Sequence, residues 1–168
     1  MRIRVFALIL LAASFATPAA AAPVSATVTV KATVVKPLTL ATLQSMDLGT
    51  IILKPGTWSG STVSVSQAGV LTCPTANLVC TGATSAARFN VTGTNKQIVQ
   101  ISAPNVTLVN QSDGSQTLTL VLDKPANFML PNSGNPGVDF SVGGSITLSS
   151  STADGLYSGT MNVTVDYQ

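Results

Sequence analysis

Met161-Asn162-Val163-Thr164-Val165-Asp166-Tyr167 alternates apolar and polar side chains up to Tyr167, the residue before Gln168. A period of two puts Met161, Val163, Val165 and Tyr167 on one face of a strand and Asn162, Thr164 and Asp166 on the other. The same period recurs upstream in residues 27–30, 61–65, 88–92 and 117–122. It is weaker in 96–101, 106–109, 138–142 and 145–148. Val, Ile and Thr dominate these runs, as a pleated, half-buried surface prefers. Turn formers separate them: Lys54-Pro55-Gly56, Gly93-Thr94-Asn95, Ser112-Asp113-Gly114, the Pro/Asn/Gly-rich stretch 131–137, and Ala153-Asp154-Gly155. No stretch sustains a helical face. The pattern predicts one all-β domain, an antiparallel β-sandwich of immunoglobulin-like type, with no linker and no internal repeat.

Composition narrows the function further. The 168 residues include no His and no Glu, and the six acids are single aspartates scattered along the chain. A Ser/His/Asp triad, a Cys/His dyad, a His-based zinc site and a Glu general base are therefore all excluded. Only 8% of the residues are charged. Such a surface lacks the basic footprint that nucleic acid requires. The reading is of a non-enzyme without cofactor or metal.

The amino terminus has the form of a signal peptide. Met1-Arg2-Ile3-Arg4 is a positive n-region, residues 5–15 are apolar, and Thr17-Pro18-Ala19-Ala20-Ala21-Ala22 supplies small residues for cleavage. The apolar run is shorter than the ~20 residues of a membrane anchor, which is the alternative reading. Cleavage after Ala21 is expected, because a cut after Ala22 would leave Pro23 first. Loss of Arg2 and Arg4 then leaves six bases against six acids. The expected organisation is a signal peptide over 1–21, an N-terminal extension over 22–34 and a sandwich over 35–168, in an exported protein with no membrane span after cleavage.

An oxidising compartment decides how to read the two cysteines, Cys73 and Cys80. An even pair in a secreted chain predicts a disulfide, here closing a short local ring. Two free thiols are the alternative. A zinc site lacks further ligands. Asp113 in Ser112-Asp113-Gly114 reads as a turn residue, since one carboxylate cannot supply the six to eight oxygens of a calcium site. Val142-Gly143-Gly144 reads as a strand bend or bulge, because a phosphate loop needs a following helix. The glycosylation-like triplets beginning at Asn90, Asn105, Asn110 and Asn162 are common by chance in so Ser/Thr/Asn-rich a chain. Trp58 reads as a cap on one end of the sandwich, with a ligand platform as the alternative.

Two segments stand out. In residues 26–34, Ala26, Val28, Val30, Ala32 and Val34 share one face, Thr27, Thr29, Lys31 and Thr33 share the other, and Pro37 interrupts any continued ladder. At the other end, Gly155 is the fourteenth residue from the terminus and Tyr167 the penultimate one. The ending from Gly155 through Met161, Val163, Val165 and Tyr167 to Gln168 resembles the C-terminus of pilins, the fimbrial subunits assembled by the chaperone–usher route. The run to Val34 and then Lys36-Pro37-Leu38-Thr39-Leu40 resembles their donor strand and first strand. Across most of the chain the sequence is similar to a bacterial secreted domain of unknown function, number 4402. That similarity is carried by Met46-Asp47-Leu48-Gly49-Thr50-Ile51, Val142-Gly143-Gly144-Ser145-Ile146-Thr147-Leu148 and Gly155-Leu156-Tyr157-Ser158-Gly159.

The pilin resemblance implies a sandwich lacking its last strand. A periplasmic chaperone lends one, and the next subunit's N-terminal extension replaces it, at an outer-membrane usher. It implies Ala26, Val28, Val30, Ala32 and Val34 as donor-strand residues. It implies Gly155, Met161, Val163, Val165, Tyr167 and Gln168 as the C-terminal assembly strand. The expected function is a structural subunit of a pilus- or fimbria-like surface polymer. The alternatives are a self-complete secreted or surface β-sandwich and a small adhesin or carbohydrate-binding module.

Overall fold

The computed structural model describes residues 23–131 and 136–168. The expected signal peptide lies outside them, as do residues 132–135 of the turn expected over 131–137. The chain divides into two compact units, Met1–Thr33 and Val34–Gln168. In the first unit, residues 23–33 carry no regular secondary structure and all are exposed. The strand that alternation predicts over 27–30 is therefore absent from the single chain. Extended residues need a ladder partner to hold them, and near a chain end nothing else does so.

The second unit is all-β and antiparallel. Its strands are β1 (Thr39–Gln44), β2 (Thr50–Leu53), β3 (Ser61–Val65), β4 (Leu71–Thr72), β5 (Leu78–Thr81), β6 (Ala87–Thr92) and β7 (Ile98–Ser102). They continue as β8 (Val106–Asn110), β9 (Thr117–Asp123), β10 (Phe128–Met129), β11 (Val138–Leu148), β12 (Tyr157–Ser158) and β13 (Thr164–Tyr167). A large sheet runs β1-β6-β11-β9-β8-β12, with β3 paired to β11 and β4 to β3. A three-stranded sheet, β10-β7-β13, and a ribbon, β2-β5, complete a curled half-barrel.

Strand β11 organises the unit. Its first half pairs with β6, Phe140 opposite Phe89, and its second half with β3, Ile146 opposite Val63. Strand β9 pairs across 143–145 in between. Two runs read separately from sequence, 138–142 and 145–148, are thus one strand passing through Gly143-Gly144. A side chain cannot occupy that crossing: a Cβ on Gly143 would lie 2.5 Å from the Val65 carbonyl oxygen, and one on Gly144 would lie 2.9 Å from a Leu120 methyl. The glycines permit a close approach of strands rather than a bend.

Two apolar clusters fill the interior. One gathers Phe89, Val91, Val99, Ile101, Leu130, Phe140 and Val142, with Phe89 and Phe140 stacked at 5.4 Å between centroids. The other gathers Val63, Leu78, Val106, Leu108, Leu120, Ile146 and Leu148. Each follows from alternation: in β3, Val63 and Val65 are buried while Thr62 is exposed, and β6, β7 and β8 behave alike. Replacing Gly143 by Ala is expected to destabilise the domain by about 1–3 kcal/mol, since it forces overpacking against backbone. Chemical denaturation followed by tryptophan fluorescence measures this; an unchanged midpoint would mean that the strands can part at no cost.

Candidate functional site

The second cluster is open along one side. A groove of ≈ 1020 Å³ runs over it, with Phe89, Val106, Leu108, Leu120, Ile146 and Leu148 on its floor. One wall is the stretch from Gln44 through β2, which turns Met46, Leu48, Ile51 and Leu53 onto the cluster. The opposite wall is residues 152–161, contributing Tyr157 and Met161. Both walls carry sheet edges. Among the described residues β1 pairs only with β6, β2 only with β5, β12 only with β8 and β13 only with β7. Backbone N–H and C=O groups on the remaining sides are available to an added strand.

The wall over 155–168 departs from the expected continuous strand. Tyr157 lies opposite Asn110 and Ser158 opposite Val109, whereas Thr164 lies opposite Ser102 and Tyr167 opposite Val99. The register slips by one residue in between, and 159–163 pair with nothing regular. The facing segment, residues 103–108, is one residue longer than 159–163 and includes Pro104, which has no N–H to donate. Alternation nevertheless persists: Met161, Val163, Val165 and Tyr167 are half-buried while Asn162, Thr164 and Asp166 are exposed. Met161, Val163, Val165 and Tyr167 all pack on the first cluster, and Met161 also reaches the second.

Tyr167 also ties the two ends of the unit together. Its hydroxyl donates to the Lys36 carbonyl at 2.6 Å and accepts from the Thr94 N–H at 2.7 Å. Gly93 makes room for it, since a Cβ there would lie 2.5 Å from that hydroxyl. Gln168 continues the edge, its N–H bonding to the Ile98 carbonyl. Gly155 opens the wall at φ +134°, a conformation open to glycine and strained for other residues.

Asn110 holds that bend, a role invisible in the triplet Asn110-Gln111-Ser112. Only 2% exposed, it donates to the Asp154 carbonyl at 2.8 Å and accepts from the Ser112 and Asp113 N–H groups. Its neighbour Gln111 adds a backbone bond to Leu156. The signal available in sequence was only that an Asn ends an alternating run before a turn. Asp113 closes the adjoining turn: the Ser115 hydroxyl, and then its N–H, hold the exposed carboxyl below its usual range.

The other wall is braced from behind. Cys73 and Cys80 form a disulfide, and Cys80 lies opposite Ile51 in the β2-β5 ribbon. Cys73 directly follows β4, so the bond fastens the ribbon to the main sheet. Trp58 is a cap, its indole N–H donating to the Lys54 carbonyl and its backbone bonded to Ser150. In the N-terminal extension Val28 and Val30 are 84% and 88% exposed. Chemically the groove offers two carboxylates, Asp47 and Asp154, and no base. Among the described residues no group of three or more metal-ligating side chains occurs.

Two outcomes test this architecture. Asn110→Ala is expected to cost about 2–3 kcal/mol, because it removes three part-buried hydrogen bonds made by a buried side chain, as measured by urea denaturation. Replacing both cysteines by Ser is expected to cost about 2–3 kcal/mol, the value for closing so short a ring. Thiol labelling of the unreduced protein should find no reactive group.

Neither a curated protein nor a solved structure matches the chain significantly. A family model does, over residues 38–167, which include both walls, the floor and the disulfide. From β1 to Tyr167, then, the chain belongs to the family described as a domain of unknown function, DUF4402.

Proposed function

We propose that this protein is an exported structural subunit whose incomplete, immunoglobulin-like sandwich takes its missing strand from the N-terminal extension of a second copy. The observation that carries this reading is a mismatch within one chain. A groove floored by core residues lies between two single-sided sheet edges, while Val24, Val28, Val30 and Val34 stand exposed in an extension without structure. Fully extended, residues 26–34 span about 30 Å. Val28, Val30 and Val34 supply the main plugs, each worth roughly 1.5–3 kcal/mol when buried. Ala26 and Ala32 take shallower sites. The backbone ladder gives affinity and the alternate side chains give specificity.

Such an interface is head-to-tail and does not close, so it propagates into a filament. A signal peptide over residues 1–21 delivers the chain to the periplasm. There a chaperone lends a strand beside 155–168 until the usher exchanges it for the next subunit's extension. The end product is a fimbria-like polymer at the cell surface. The coarser reading, which the family match also fits, is a secreted or surface β-sandwich of unidentified specific function that is complete in itself.

Deleting residues 22–34 separates the two readings. A strand-exchanging subunit lacking its extension accepts a strand but has none to give, so filaments seen by electron microscopy stop growing. A peptide of residues 24–36 should bind the truncated protein, and Val30→Asp in that peptide should abolish binding by burying an unpaired charge. A full-length mature protein that stays monomeric at high concentration, together with a peptide that does not bind, would rule strand exchange out.

A further inference from the structure

The charges on the two proposed partners are opposite. Asp47 and Asp154 are the only charged residues on the groove walls, and both are exposed. Residues 23–35 contain one charge, Lys31, and no acid. Asp47 already uses its carboxylate, which accepts the Gly49 N–H at 2.8 Å. The Asp154 carboxylate makes no hydrogen bond among the described residues, although the backbone at that position is fixed by Asn110.

We infer that Lys31 of one copy pairs with Asp154 of the next and so sets the register of the added strand, an inference that rests on the strand-exchange reading. Parity supports it. Counted back from the strand residue Tyr157 through the Gly155 bend, an antiparallel added strand with Val28 opposite Tyr157 brings Val30 to Gly155 and Lys31 to Asp154. Directly opposed residues share a sheet face. Tyr157 is half-buried over the apolar cluster, so Val28 and Val30 face inward with it. Leu156 and Ser158 are exposed, and they meet Thr29 and Thr27. A slip of one residue would bury Lys31 and expose every valine, so the apolar face fixes parity but leaves slips of two residues open. The lysine discriminates among those. The groove therefore takes an extended segment with small aliphatic plugs on one face and a cation on the other, and it disfavours an acidic one.

The test is a charge-reversal cycle on full-length mature protein, with self-association followed by light scattering and analytical ultracentrifugation. K31D and D154K are each expected to weaken association roughly three- to tenfold, the range for an exposed pair turned repulsive. K31D/D154K should return to within about twofold of wild type, while K31D/D47K should not. The single-variant losses should shrink in about 0.5 M salt. Circular dichroism checks that each variant keeps its sheet content. If wild type associates but K31D matches it at low salt, or if D47K rescues in place of D154K, the pairing is wrong and strand exchange stands. If wild type does not associate at all, both fall together.

Discussion

Strand β11 is the one strand that gives buried residues to both apolar clusters, and its passage between β6, β3 and β9 depends on two adjacent residues without side chains. Phe140 and Val142 on one side of Gly143-Gly144 belong to one cluster, Ile146 and Leu148 on the other side to the second. A Cβ at Gly143 would meet the backbone of Val65, Ser66 and Gln67 together, so no rotamer change relieves it. The close crossing lets one strand carry two pairings in succession, and this curls the sheet. A curled sheet covers its own concave face only where a second layer reaches. Over Val106, Leu108, Ile146 and Leu148 that layer is two strips of chain with a gap between them.

How that gap is bounded follows from local chemistry. One strip is fixed by the β2-β5 ribbon and its disulfide, the other by a buried asparagine and a glycine bend. Their facing edges are left unpaired, which is an aggregation hazard in an antiparallel sheet unless something covers them. Both strips are nearly free of charge, so the usual electrostatic protection of an edge is missing. An apolar extension from the same chain is the covering that the amino-acid pattern itself offers.

Much of this was legible before the fold was known. Alternation in residues 61–65, 88–92 and 117–122 identified buried Val63, Phe89, Val91 and Leu120 as core, because a period of two has one solution on a half-buried sheet. The two cysteines read as a disulfide because no other ligands accompany them. Three things were not legible. The predicted strand is interrupted over 159–163, where the facing side carries one residue more, and single-segment periodicity knows nothing of its partner. Asn110 looked like a surface triplet because burial is a property of the assembled bend. The β2 wall was missed because four residues, Thr50 to Leu53, are too few to show a period.

The pairing of residues 157–167 with 98–110 also has a kinetic side. These segments meet across roughly 46 to 67 residues of intervening chain, and β1 likewise waits for β6. Loop closure over such distances is entropically slow, and sheets dominated by non-local pairs fold in milliseconds to seconds. During synthesis β7 and β8 emerge before residues 157–167 and must wait for that edge partner. Tyr167 then latches onto Lys36 and Thr94. The unit therefore cannot shut until this segment is in hand, and a product stalled before it leaves one edge of β7 and of β8 open.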